Sequence, residues 1–160
     1  MTDPHVRLLA ASDWAELRAA RLAALAEAPY AFASTLAREQ QFTEQTWQER
    51  ASRGQTFAAW DGATIVGLAT GLPVGGDWHL VGMWVSPTMR GTGVADRLVA
   101  AVCELAAQSG ATSVTLWVTE VNDRARAFYR RLGFGPTGGR QLVRADEPDH
   151  WEEELTLRLR

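Results

Sequence analysis

The stretch VSPTMRGTGVADRL, Val85 to Leu98, decides how the rest of the chain is read. An apolar run ends at Val85 and an amphipathic run begins at Val94. Between them stand a proline, an arginine and two glycines one residue apart. Pro87 cannot donate to a sheet ladder and disfavours helix at Ser86, so a strand stops there. Gly91 and Gly93 lack a Cβ, which lets the backbone take unusual angles and come close to a ligand. The first turn of the following helix has unpaired N–H groups at the positive end of its dipole. Together these features make an anion cradle suited to phosphate, with the charge of Arg90 beside it. A plain turn competes with this reading. Two other phosphate loops do not fit. The third small residue of G-x-G-x-x-G is replaced by Asp96, and a hairpin precedes where a βαβ unit should start. No Gly-Lys-Ser or Gly-Lys-Thr follows, so the P-loop is excluded.

Working outward, Val6 to Leu9 reads as a first strand, and Ser12 or Asp13 as the cap of a helix through Leu17, Leu22 and Leu25. Pro29 ends that pattern, leaving a loop with Tyr30 and Phe32. Thr43 caps a second helix, which Gly54 stops. Thr56–Trp60, Thr64–Leu72 and Asp77–Val85 form a meander, with turns at Asp61-Gly62 and at Pro73 with Gly75-Gly76. Gly91 to Ser109 is predicted helical, Val114 to Val118 a strand, Asn122 to Leu132 a helix and Trp151 to Leu159 a last strand. The middle strands are expected to be antiparallel and the later β-α-β portion parallel, in a mixed-sheet α/β domain.

The composition sets bounds. A chain of 160 residues suits one domain over 1–160. The net charge of −3, with Arg as the positive residue, does not suggest nucleic-acid binding. The single cysteine cannot make an internal disulfide, and no run reaches transmembrane length, so a cytoplasmic protein is expected. Cys103 falls on the apolar side of its helix and reads as packing. His5, His79 and His150 lack metal-ligand spacing, so no metal is expected. The seven tryptophans read as core and interface packing.

A second segment strengthens the phosphate reading. Asn122 and Tyr129 lie seven residues apart, two helical turns, and so share a face with the small Ala125 between them. That face offers an amide, a groove and a phenol. Arg90-Gly91-Thr92-Gly93-Val94-Ala95 resembles the R-x-x-G-x-A acetyl-CoA loop of the GNAT acyltransferase superfamily. Asn122 to Phe134 resembles its N-x-x-A-x-x-F-Y-x-x-x-G-F motif, and Leu80–Val85 looks like the strand that precedes the loop. The match is strong from about His79 to Phe134, and the remaining elements follow in order.

The resemblance implies a mixed α/β, mostly antiparallel sheet of six to seven strands. About four helices would flank it, with a splay between the two central strands. It implies N-acetyl transfer from acetyl-CoA to a primary amine by direct attack in a ternary complex. Loop amides from Arg90 to Ala95 would hold the coenzyme A pyrophosphate. Met83, Trp84 and Val85 would pair with the pantetheine arm, with the Val85 N–H aimed at the thioester carbonyl. Asn122 would touch the arm or position a water, Arg124 and Phe128 would join the cofactor site, and Tyr129 would protonate the thiolate. A phenol near pKa 10 gives its proton to a thiolate near 8.5 at a cost of about 2 kcal/mol. Packing beside Phe128 is the competing role for Tyr129. His79 stands near the position of a glutamate in many relatives, either as base, directly or through water, or as a strand residue. Asp77 is a weaker base candidate. Tyr30, Phe32 and Trp47 read either as an acceptor wall or as core, and the α-helical arginines Arg124, Arg126, Arg130 and Arg131 as a solvated face. The acceptor is a small-molecule or peptide amine; neither nucleic acid nor membrane is expected as a partner, and a homodimer is compatible. A non-catalytic acyl-CoA-binding module on the same fold is the alternative.

Overall fold

In the computed structural model, which describes residues 3–160, seven strands form one sheet in the order β1-β2-β3-β4-β5-β7-β6. The meander β2 (Thr56–Asp61), β3 (Thr64–Val74) and β4 (Asp77–Val85) carries β1 (His5–Leu8) on its outer edge. Beyond β4 come β5 (Ser113–Thr119), β7 (Trp151–Arg158) and β6 (Gly135–Leu142). Only β4 and β5 pair in parallel, and only through Trp78–Val114 and His79–Thr115. The two strands then part. The fold is thus mixed α/β, mostly antiparallel and splayed at its centre, as the resemblance implies.

Helices cover both faces. On one lie α1 (Trp14–Glu27), the single turn α2 (Leu36–Glu39) and α3 (Glu44–Ser52), around Leu17, Leu25, Trp47, Trp60 and Leu68. On the other, α4 (Val94–Gln108) buries Val94, Leu98 and Val102, and α5 (Asp123–Arg131) adds Tyr129 to the same cluster. The Thr43 cap follows the sequence, whereas Asp13 precedes α1 without a side-chain cap bond, its carboxylate accepting from Arg7 and the Ala10 N–H instead. Thr43 Oγ1 accepts from the Thr46 N–H at 3.2 Å, and Asn122 Oδ1 from the Ala125 N–H at 3.1 Å.

Three expectations are corrected, and one strand is added. The parallel reading holds for β4–β5 but not for β5–β7, because β6 intervenes and reverses β7. β6, given no element in the sequence reading, is an exposed edge strand with Gly135, Pro136, Gly138 and Gly139, whose pairing breaks between Pro136 and Arg140, where such residues are tolerated. Pro73 lies in β3 rather than in the turn, since β2 stops pairing at Thr70 and no neighbour there needs its missing donor. α4 begins at Val94, not Gly91, because Gly91 and Gly93 take φ of 80° and 90°.

Glu39 ties the first three helices together. It is fully buried, and its carboxylate takes Arg21 Nε and Nη2 at 3.0 Å each and Arg50 Nη1 at 3.0 Å. Burial alone would raise its pKa, but the bonds from Arg21 and the charges of Arg21 and Arg50 prevail and hold it down at about 2. A carboxyl depressed in the folded state adds stability above its ordinary pKa of 4.5 and loses it as pH falls towards about 2. We expect Glu39→Ala to lower unfolding free energy in urea by on the order of 3 kcal/mol at neutral pH, and the deficit to shrink across that acid window.

Candidate active site

Where β4 and β5 part, a cleft of about 680 Å³ opens. Its floor is the end of β4. Gly67 stands opposite Val85, and the Ser86 N–H donates to Val66 O at 2.8 Å. In that register the N–H and C=O of Val85 itself face away from β3, towards the missing partner. The carbonyl is occupied, because Arg90 Nε donates to it at 3.1 Å. The N–H is left directed at the cleft. Just upstream, Val81 faces Thr70 and Trp84 faces Leu68, so Gly82 and Met83 stand against the one residue Ala69. This bulge requires φ of 62° at Gly82, and it turns the edge at Met83.

The junction behaves as an open cradle. A Cβ on Gly91 or Gly93 would meet nothing within 4 Å, so their positive φ and not crowding selects glycine. Gly91, Gly93 and Ala95 line the cleft, in front of the unpaired amides of the first turn of α4. Thr92 and Val94 do not line it. Thr92 Oγ1 donates to Met89 O, and the Val94 side chain is core. Arg90 differs from expectation. Its Nη2 lies 2.8 Å from Glu27 Oε1, and Glu27 also accepts from Trp84 Nε1 at 3.3 Å. The guanidinium is thus neutralised and braces the loop against β4 and α1, so the cradle's positive character rests on backbone amides. The 3-residue turn Pro87–Met89 carries the chain between strand and cradle.

α5 supplies the other wall through Asn122, Arg124, Phe128 and Tyr129. With its Oδ1 capping the helix, Asn122 has its amide N–H₂ left over. Tyr129 is buried, edge-on to Phe128 at 5.1 Å and to Phe134 at 5.6 Å, and burial pushes its phenol well above the usual range. Of the four arginines read as solvated, Arg124 and Arg131 line the cleft, whereas Arg126 and Arg130 turn to Glu153. Arg131 makes two bonds of 3.1 Å to Asp96 across the mouth.

His79 does not line the cleft. It sits where β4 still pairs with both neighbours, opposite Leu72 and Thr115. Asp77 accepts from Ser113 Oγ at 2.8 Å and Thr115 Oγ1 at 3.1 Å, and is therefore a staple between strands rather than a free base. Tyr30 is exposed and lines the cleft, whereas Phe32 and Trp47 are core. Burial raises Cys103 to about 11, which keeps it a protonated packing residue. Sequence reasoning missed Glu27 and Asp96; only a search for acids paired with the loop and helix arginines could have found them.

Residues 19–134 match the acetyltransferase (GNAT) family. The chain is 32% identical over 98 residues, 58% of its length, to N-acetyltransferase 8F1 of Rattus norvegicus, and spans 44% of that relative. It superposes on a GNAT-family acetyltransferase of Streptococcus pneumoniae with a TM-score of 0.81 at 19% identity, covering 99% of this chain and 100% of that one. Against yncA of Salmonella typhimurium, solved with its cofactor acetyl-CoA, the TM-score is 0.79 at 14% identity, over 99% and 95% of the two chains. The chain belongs to the GNAT acetyltransferase family.

A side chain at Gly93 would have to hold φ of 90°, which L-residues resist. We expect Gly93→Ala to lose about 1–2 kcal/mol of stability in urea titration, with Ala95→Gly, which needs no strained angle, losing no more than about 1 kcal/mol.

Proposed function

We propose that this chain transfers acetyl from acetyl-CoA to a primary amine, small molecule or peptide, by direct attack with both substrates bound. Family membership makes acetyl-CoA the donor, and the cleft fits it: an open amide cradle for the diphosphate leads to an unpaired strand edge for the pantetheine arm. One observation carries the reading. The free Val85 N–H, the cradle and the Tyr129 phenol all border one cleft.

On this reading the cradle amides and the edge at Met83–Val85 fix the thioester. The Val85 N–H donates to its carbonyl oxygen, where negative charge grows during attack. Asn122 orients the arm through its free amide hydrogens. Tyr129 donates a hydrogen bond to the departing sulfur. Its raised pKa makes complete proton transfer costlier than the 2 kcal/mol or so that free phenol and thiol values give, so its role is to stabilise the thiolate as it forms. The amine must shed a proton before attack. His79 serves that step only through water, since it borders no part of the cleft.

The test is thiol release with acetyl-CoA and a panel of amines, with calorimetry of acetyl-CoA binding beside it. Binding without release on any amine leaves a non-catalytic acyl-CoA module instead. We expect Tyr129→Phe to lower kcat about 10²-fold with KM for acetyl-CoA changed less than about threefold. Because the phenol is raised, no loss of activity from its ionisation is expected as pH climbs to 10. If His79 is the relay base, His79→Ala lowers kcat with little change in KM for acetyl-CoA; an unchanged kcat assigns the proton to solvent alone.

A further inference from the structure

A second pocket, of about 210 Å³, lies between α1, α3 and strands β2 to β4. It is smaller than a drug-sized site and suits one end of a small molecule. Leu17, Leu68 and Val81 give it an apolar wall, and Arg21, Arg50 and Arg53 bring three guanidinium groups to it. One carboxylate, Glu39, answers Arg21 and Arg50, and Arg53 has no ion pair among the described residues. By ion pairing alone the three guanidinium groups outnumber carboxylates by two. Arg53 is exposed at the rim, while Arg21 and Arg50 are half-buried and also stack on Phe32 and on Phe42 and Trp47. Consistently, burial foremost, and then the charges of Arg21 and Arg53, lower Arg50 from its ordinary value against the pull of Glu39.

Donors remain available. Arg21 gives Nε and Nη2 to Glu39, and Arg50 gives Nη1, so Arg21 Nη1, Arg50 Nε and Nη2, and all of Arg53 are uncommitted. The two pockets share no lining residue but adjoin along β4. Arg21 Nη1 would stand 3.7 Å from a Cβ on Gly82, which lines this pocket, while its neighbour Met83 lines the cleft. The bulge thus places an acyl donor on one side and a cluster of unmatched guanidinium groups on the other.

We infer that this pocket holds a carboxylate carried by the acceptor, so that the substrate is an amino acid or a related amine with an acid at its far end. The inference rests on the acetyl-transfer reading for the amine, but its binding test does not. Calorimetry with hexanoate, a carboxylate on an apolar tail, should show binding to the wild-type chain and about tenfold weaker binding to Arg53→Gln. Arg53 makes no structural bond, so that variant is expected to fold; its melting temperature checks this. In turnover, ω-amino acids from β-alanine to 6-aminohexanoate are compared with alkylamines of equal length. At one length the acid should exceed the neutral amine about tenfold in kcat/KM, and the ratio should fall in Arg53→Gln and with added salt. Neutral amines matching the acids at every length overturn the inference and leave acetyl transfer standing. Inorganic phosphate binding more tightly than hexanoate overturns the carboxylate assignment. Hexanoate binding without thiol release from any amine overturns both the transfer reading and the acceptor role of the pocket.

Discussion

β4 and β5 are joined at one end and nowhere else. Two residue pairs and the bonds of Asp77 to Ser113 and Thr115 hold that end, and everything downstream follows from their stopping there. β5 goes on pairing with β7 as far as Thr119, and β4 goes on pairing with β3 as far as Val85. Each strand therefore keeps one neighbour while an edge opens in the middle of a sheet. Exposed edges normally invite another strand. This one is walled by α5 and by the cradle at the head of α4, so a narrow extended ligand can reach it and another chain's strand cannot. Arg90 completes the arrangement by satisfying the Val85 carbonyl, which leaves the edge as a donor alone.

The parts of this plan legible in the sequence are those fixed by local backbone chemistry. Pro87 marks a strand end because it lacks a ladder donor, and Gly91 and Gly93 mark a sharp loop because few other residues suit their positive φ, although the helix after them starts at Val94 and not at Gly91. Thr43 and Asn122 mark helix starts because their side chains reach the first free amides. β4 could be bounded to the residue, and α3 at its start. What stayed hidden depends on partners far along the chain. The neutralisation of Arg90 needs Glu27, the closing of the mouth needs Asp96 to meet Arg131, and the guanidinium cluster needs α1, α3 and β2 to converge. β6 was hidden differently: a strand at a sheet edge, exposed for most of its length, has no buried face to impose alternation on its sequence. His79 shows the limit from the other side, since the resemblance implied a role that its position allows only at a distance.

Both pockets are electropositive, by different means. The cradle draws on backbone amides, whose partial charges are fixed in direction and cannot titrate, while the nearest arginine is cancelled by Glu27. The inner pocket draws on side chains, with one carboxylate shared between two arginines. The diphosphate proposed for the cradle would bind and leave at every turnover, which a preformed, neutralised cradle suits. A guanidinium group left unmatched by protein is suited to answering a ligand, because its fork fits a planar carboxylate.

On the proposed reading, the burial of Tyr129 bears on how a phenol would serve in such a site. The same desolvation that raises its pKa removes the water that would compete for its hydrogen bond. A hydroxyl in that setting is a poor proton donor in the full sense and a strong partner for a sulfur gaining charge. Phe128 and Phe134 hold the ring edge-on from two sides, so little orientational freedom remains to be lost when the bond forms. The Val85 N–H works alike: it is fixed by the sheet and cannot be protonated or deprotonated at ordinary pH. On this reading the oxygen and the sulfur of the thioester each meet a donor that is in place beforehand; the nitrogen sheds one proton before attack and a second as the amide forms, both passing to water or through water to His79, while coenzyme A leaves as a thiolate. A site of this kind would need no finely tuned acid, and on the proposed reading its chemistry would rest on one phenol and one amide.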